Sequence, residues 1–144
     1  MSGPSHSLGR PFRVVLVDDD VASLSLWRQV LDMHGYEVLT FEQPAKALTA
    51  IEAGCDCVIT DYSMPGMSGA DLVRAAARPG GPAFIVLTGH TSQEVAQDAL
   101  QAGASCVITK PAKLNAVTSA VEWLCARRAG IAAPVPAEFA AKAS

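Results

Sequence analysis

The sequence predicts an α/β fold built on a mostly parallel sheet. Three observations carry that expectation. Five short apolar runs recur along the chain, each the length of a buried strand. Between them lie segments whose apolar residues repeat at helical spacing. Gly and Pro punctuate most of the junctions, so the connections are short. Strand and helix alternating in this way imply parallel strands with helices on both faces.

Residues 1–10 are rich in Ser, Gly and Pro and are expected to form a disordered lead. The folded domain is expected over 11–128. Phe12–Val17 (FRVVLV) is predicted as the first strand and ends in Asp18-Asp19-Asp20. Asp20 suits the N-cap of the first helix. Leu24, Trp27, Val30, Leu31 and His34 mark that helix, closed by Gly35. Tyr36–Phe41 alternates like a strand; with Glu37 and Thr40 it is the most polar of the five and is placed at a sheet edge. Ala45, Leu48, Ala50 and Ile51 predict a short helix ending at Gly54. Cys57–Thr60 is the third strand and leads into Asp61; a helix follows over Ala70–Ala77, up to Pro79-Gly80-Gly81. Ala83–Leu87 is the fourth strand, ending at Thr88-Gly89. Val95, Ala96, Ala99 and Leu100 mark a helix closed by Gly103. Ser105–Thr109 is the fifth strand and ends at Lys110-Pro111; Leu114, Val117, Val121 and Leu124 give the last helix one apolar face. Residues 129–144 read as a Pro/Ala-rich tail or linker, with room for a brief helix over Ala137–Ala143.

Composition narrows the function. The chain has 144 residues, half of them hydrophobic, which suits one domain with a real core. The net charge is −3 and the basic residues are scattered, apart from Arg127-Arg128. Direct nucleic-acid binding and attachment to an anionic membrane are therefore not expected. No apolar run has the length of a membrane span and no signal peptide is visible, so a cytoplasmic location is expected. Cys55, Cys57, Cys106 and Cys125 form no C-x-x-C, and the histidines do not cluster near them. Buried small hydrophobes are the expected role.

The chain is organised around Val58–Gly69, VITDYSMPGMSG, in which an apolar strand runs into Asp61 and then turns through Pro65, Gly66 and Gly69. The other polar strand ends are Asp18 and Asp19, Thr88, and Lys110. In an open parallel sheet those ends form the ligand crevice. Taken singly, each residue has a plain reading: a turn aspartate, a helix cap, a solvated lysine. Their joint placement at four strand ends is harder to dismiss. Neighbouring carboxylates repel and raise one another's pKa. A hard divalent cation relieves this, and oxygen-only ligands favour Mg²⁺, with Mn²⁺ an acceptable substitute. An ammonium and a hydroxyl complete a set suited to phosphoryl oxygens. Asp61 is then the candidate nucleophile.

The segments VVLVDDD, VITDYSMPGMSG, IVLTGH and VITKP, in order and spacing, resemble the receiver domain of bacterial two-component response regulators. The match runs from Phe12 to Arg128. The resemblance implies a flavodoxin-like, doubly wound five-stranded parallel sheet of order 2-1-3-4-5 with five helices. It implies that Asp61 accepts phosphate from a histidine kinase or phosphotransferase. It implies a Mg²⁺ site of Asp18, Asp19, Asp61 and the Ser63 backbone carbonyl, with Thr88 and Lys110 on the phosphoryl oxygens. Lys110-Pro111 matches a pair that is often cis. The family's inward-swinging aromatic is replaced here by Val107, whose short branched side chain cannot exchange rotamers in that way. Ser63 and His90 fall at variable positions flanking the site. His90 titrates near neutrality when unperturbed and is expected either to make acyl-phosphate lifetime pH-dependent or to be a solvated loop histidine.

Partners implied are a histidine kinase or phosphotransferase and an unidentified downstream protein. A homodimer through the last helices is left open, as is an output region outside this sequence. The receiver is read as a phosphoacceptor switch and not as a turnover enzyme. Two rivals remain. A haloacid-dehalogenase-like phosphatase would use Asp18-x-Asp20, but lacks the later acidic pair and leaves Asp61 idle. A docking module without phosphorylation would not need the intact acidic set.

Overall fold

The computed structural model describes His6, Ser7 and residues 9–136. The predicted helix over Ala137–Ala143 lies outside the described residues. Five strands form one parallel sheet: β1 (Arg13–Val17), β2 (Glu37–Phe41), β3 (Cys57–Asp61), β4 (Ala83–Thr88) and β5 (Cys106–Thr109). Their spatial order is β2-β1-β3-β4-β5, the doubly wound arrangement expected. The helices are α1 (Val21–Met33), α2 (Pro44–Ala53), α3 (Gly69–Ala76), α4 (Gln93–Ala102) and α5 (Leu114–Arg128). β2 lies at an edge, as its polarity predicted; Glu37 pairs in register with Arg13, and the two side chains meet at 2.9 Å.

Alternating side chains divide the core into two layers. Val14, Leu16, Cys57, Ile59, Ile85, Leu87, Cys106 and Ile108 point to the face covered by α1 and α5. Val15, Val17, Val58, Phe84 and Val86 point to the face covered by α2, α3 and α4. Both faces are dry, which is why these strands read as continuous apolar runs. Each fully buried Val, Leu or Ile contributes roughly 1.5–3 kcal/mol. All four cysteines are buried and none is in a disulfide, as expected.

Several expectations change in detail. His6–Ser7 pairs antiparallel with Arg10–Pro11, a two-residue ladder in a lead expected to be disordered. Leu100, one of the residues that mark α4, is 40% exposed, and Leu114, expected on the apolar face of α5, is 46% exposed. α4 turns the small residues Ala99 and Ala102 to the sheet, and Leu100 projects sideways from that line. Leu114 is the first residue of α5, ahead of the buried row Val117, Val121 and Leu124. His34 caps α1 from an exposed position, with Nδ1 2.9 Å from the Val30 carbonyl oxygen.

At the end of the sheet opposite Asp61, Arg128 closes α5. Its guanidinium donates to Asp56 Oδ1 at 2.6 Å and to the Gly81 and Gly80 carbonyls at 3.0 and 3.4 Å. Asp56, 8% exposed, also accepts from the Arg13 amide at 2.8 Å.

Candidate functional site

The parallel register gathers the polar strand ends. Val17 pairs with Thr60, so Asp18, the residue after β1, arrives beside Asp61 at the end of β3. Thr88 pairs with Thr109, and the Lys110 amide donates to the Thr88 carbonyl at 2.7 Å, which brings the lysine over the same edge. Carboxylate oxygens of Asp18, Asp19 and Asp61 lie within 4.8 Å of one another. Lys110 Nζ sits 2.6 Å from Asp61 Oδ1. The sequence placed these four residues in one pocket, and the structure brings them together.

Burial sets their electrostatics. Asp18 is 7% exposed and Asp61 8%, whereas Asp19 faces solvent. Burial raises the Asp18 pKa above its ordinary value; the Asp20 amide opposes this, and the nearby Asp61 and Asp19 charges add to it. At Lys110 burial pulls the pKa down, but the hydrogen bond and charge of Asp61 outweigh it, so the ammonium is held above its ordinary range. Three oxygen-only side chains crowded to this distance, one of them buried at a cost to its charged form, fit a hard divalent cation. Mg²⁺ would be held by Asp18, Asp19 and Asp61.

The loop after Asp61 is tied down locally. The Tyr62 amide continues the ladder to the Leu87 carbonyl at 2.8 Å, and the Gly69 amide bonds the Tyr62 carbonyl at 2.7 Å. A Cβ at Gly69 would lie 2.5 Å from the Asp61 carbonyl oxygen, so only glycine admits this approach. Gly66 supplies the positive φ, +84°, of the turn. Ser68 and Asp71 cap α3 reciprocally. Met64 and Met67 pack the loop against the core.

Thr88 is 2% exposed, and its hydroxyl accepts from the His90 amide at 3.0 Å. Exposed His90 places Nε2 3.5 Å from the Ser63 hydroxyl, and its ring stands edge-on to Tyr62. Val107 is half-buried and packs with the α2–α4 face. The Lys110-Pro111 peptide is cis. Asp20 caps α1, accepting from the Ala22 amide at 3.0 Å and from the Ser23 hydroxyl at 3.2 Å. Trp27 lines a small cavity with Asp18 and Asp61. Trp123 lies at the far end, in a cleft of about 520 Å³ with Arg127 over its ring.

One set of contacts had no signal in the sequence. The Tyr62 hydroxyl donates to Asp98 Oδ2 at 2.8 Å, and Arg74 bridges Asp98 and Asp71 at 2.9 Å each. Nothing about Arg74 or Asp98 sets them apart from ordinary helix-surface charges until α3 and α4 are laid side by side. The exception is Ser68-x-x-Asp71, which has the spacing of a capping box.

The family model described as "Response regulator receiver domain" matches residues 14–122. A probable chemotaxis protein CheY of Rhizobium etli is 32% identical over 123 residues, which cover 81% of this chain and 94% of that protein. The phosphoglycerate transport system transcriptional regulatory protein PgtA of Salmonella typhimurium is 36% identical over 100 residues, which cover 68% of this chain but only 24% of PgtA. The crystal structure of a CheY-like response regulator receiver domain protein from Methanospirillum hungatei superposes with a TM-score of 0.76 at 31% identity, covering 81% of this chain and 95% of that one. Sheet order, acidic strand ends and sequence likeness thus agree along most of the chain, which belongs to the response regulator receiver domain family.

Proposed function

We propose that Asp61 is the phosphoacceptor of this receiver, loaded by a histidine kinase or histidine phosphotransferase in a Mg²⁺-dependent reaction. The observation that carries the reading is the placement of Lys110 Nζ on Asp61 Oδ1 with Asp18 and Asp19 within a cation's reach. An Asp61 oxygen attacks phosphorus, the phosphorus–nitrogen bond of the donor phosphohistidine breaks, and the imidazole leaves with that electron pair. Lys110 follows the charge onto a phosphoryl oxygen, and the Thr88 hydroxyl, which keeps a proton to donate, takes another. Bound Mg²⁺, or Mn²⁺ in its place, supplies charge neutralisation among the carboxylates and phosphoryl oxygens. The resemblance adds the Ser63 carbonyl to its ligands. Water attacking phosphorus restores Asp61 and releases inorganic phosphate. The acyl phosphate shifts a pre-existing equilibrium and so alters binding to a downstream protein.

The phosphatase alternative is disfavoured by Asp20. That residue would be its general acid, yet both carboxylate oxygens are engaged at the start of α1. The test is intact-mass analysis after incubation with acetyl phosphate, with and without Mg²⁺, followed by phosphotransfer from candidate histidine kinases. One phosphoryl increment that requires Mg²⁺ and is absent in Asp61→Asn is expected. Turnover of a phosphate monoester that survives Asp61→Asn would instead establish the enzyme.

A further inference from the structure

Two routes lead out of the acidic site to the same side chain. The first is the main chain: Tyr62 follows Asp61 directly, and its amide is locked to the Leu87 carbonyl. The second runs through Thr88, whose hydroxyl holds the His90 amide at 3.0 Å. The His90 ring meets the Tyr62 ring at 6.4 Å between centroids and 75° between planes. From Tyr62 the path continues by one hydrogen bond, 2.8 Å, to Asp98 on α4. Arg74 then ties Asp98 to Asp71 and thus to the capped start of α3. β5 offers only the half-buried Val107 at the level where a longer side chain could reach between sheet and surface.

We infer that Tyr62 is the positioning residue through which loading of Asp61 reaches α4. The inference rests on the phosphoacceptor reading above. A phosphoryl oxygen on Asp61 gives the Thr88 proton a partner and draws Thr88 toward the site. The bonded His90 amide and the loop to Ser92, the N-cap of α4, move with it. The imidazole shifts against the Tyr62 ring, and the Tyr62–Asp98 bond converts that shift into a displacement of α4. No bond is made or broken covalently; the change is one of hydrogen-bond geometry.

The test is amide hydrogen exchange over Gln93–Ala102 in the full chain, with and without beryllofluoride and Mg²⁺ as the phosphoryl stand-in. Loading is expected to change exchange there by about fivefold, the equilibrium worth of one hydrogen bond. Tyr62→Phe and Asp98→Ala should cut that ratio to below about twofold, while acetyl phosphate still labels Asp61 at the wild-type rate. Asp98→Asn keeps an acceptor oxygen for Tyr62 and should retain the response. Val107→Ala should leave it unchanged. A merely structural tie would raise exchange equally in both states and leave the ratio intact, which overturns the inference. So does an undiminished ratio in Tyr62→Phe, or a wild type that labels without any change in α4. A wild type that does not label at all refutes the phosphoacceptor reading instead.

Discussion

Asp18→Asn is expected to stabilise the cation-free protein while removing its response to Mg²⁺. The Asp18 carboxylate is buried, and an Asp61 oxygen lies no more than 4.8 Å away. At an effective dielectric of about 20, that separation gives a repulsion of about 3 kcal/mol. The Lys110 ammonium on Asp61 offsets much of it. Asp19 adds less, because it is exposed and screened. Asparagine keeps the oxygen that accepts from the Asp20 amide and discards the charge. A net gain of about 1–2 kcal/mol follows, or about 3–8 °C in Tm for a domain of this size. The sign with pH is fixed by the direction of the shift. The folded protein holds the Asp18 proton to higher pH than the unfolded chain, so wild-type stability falls as pH rises from the ordinary value of 3.8 through the raised one. Below 3.8 the carboxyl is neutral in both states, and the variant's advantage should vanish there. The assay is thermal unfolding in EDTA and again in millimolar Mg²⁺, across that pH range. In Mg²⁺ the wild type gains by mass action and the variant does not, so their order narrows or reverses. An Asp18→Asn protein that melts at or below wild type in EDTA, or that gains equally from Mg²⁺, would refute the account of a crowded carboxylate site.

Lys110→Ala should slow labelling by acetyl phosphate about a hundredfold, the usual worth of one positioned donor to a transferring group, as read by intact mass over time. The same lysine contributes stability that is fully present below its ordinary pKa of 10.5 and lost as pH rises through its raised value. Urea unfolding of wild type and Lys110→Met should therefore converge at high alkaline pH. Gly69→Ala should destabilise by about 1–3 kcal/mol, because its Cβ would meet backbone and not a yielding side chain, and a denaturant melt reads it directly. Burial pushes the Cys55 thiol up to about 12, and Cys57 is raised by its contact with Cys125 and by burial, so neither should react with a thiol probe at neutral pH until the protein unfolds. Trp27 fluorescence should change on Mg²⁺ addition, whereas Trp123, at the opposite end, should stay silent.

The acidic site was legible because each of its residues ends an apolar run. Asp61, Thr88 and Lys110 are separated widely in sequence, yet a parallel sheet sends all strand ends to one edge. The alternation that fixes the sheet therefore also fixes the site. Helix surfaces carry no such constraint. Leu100 differs from Ala99 by one position, and only the closeness of α4 to the sheet decides that the smaller residue turns inward. Tyr62 and Asp98 are 36 residues apart, and their bond depends on the relative placement of two elements. The short ladder at the N-terminus has too few residues to show a period. Val107 is visible in the sequence as a departure from the family's pattern, whereas the contacts of Tyr62 depend on how α3 and α4 pack side by side.

Arg128 has a mechanical consequence. Its three bonds fasten the foot of α5 to the pole of the molecule farthest from the acids. The last residue of α5 is therefore held by its own side chain to the loop carbonyls and carboxylate beside it. The two ends of the sheet are thus built differently, with carboxylates gathered at one and a helix terminus fastened at the other.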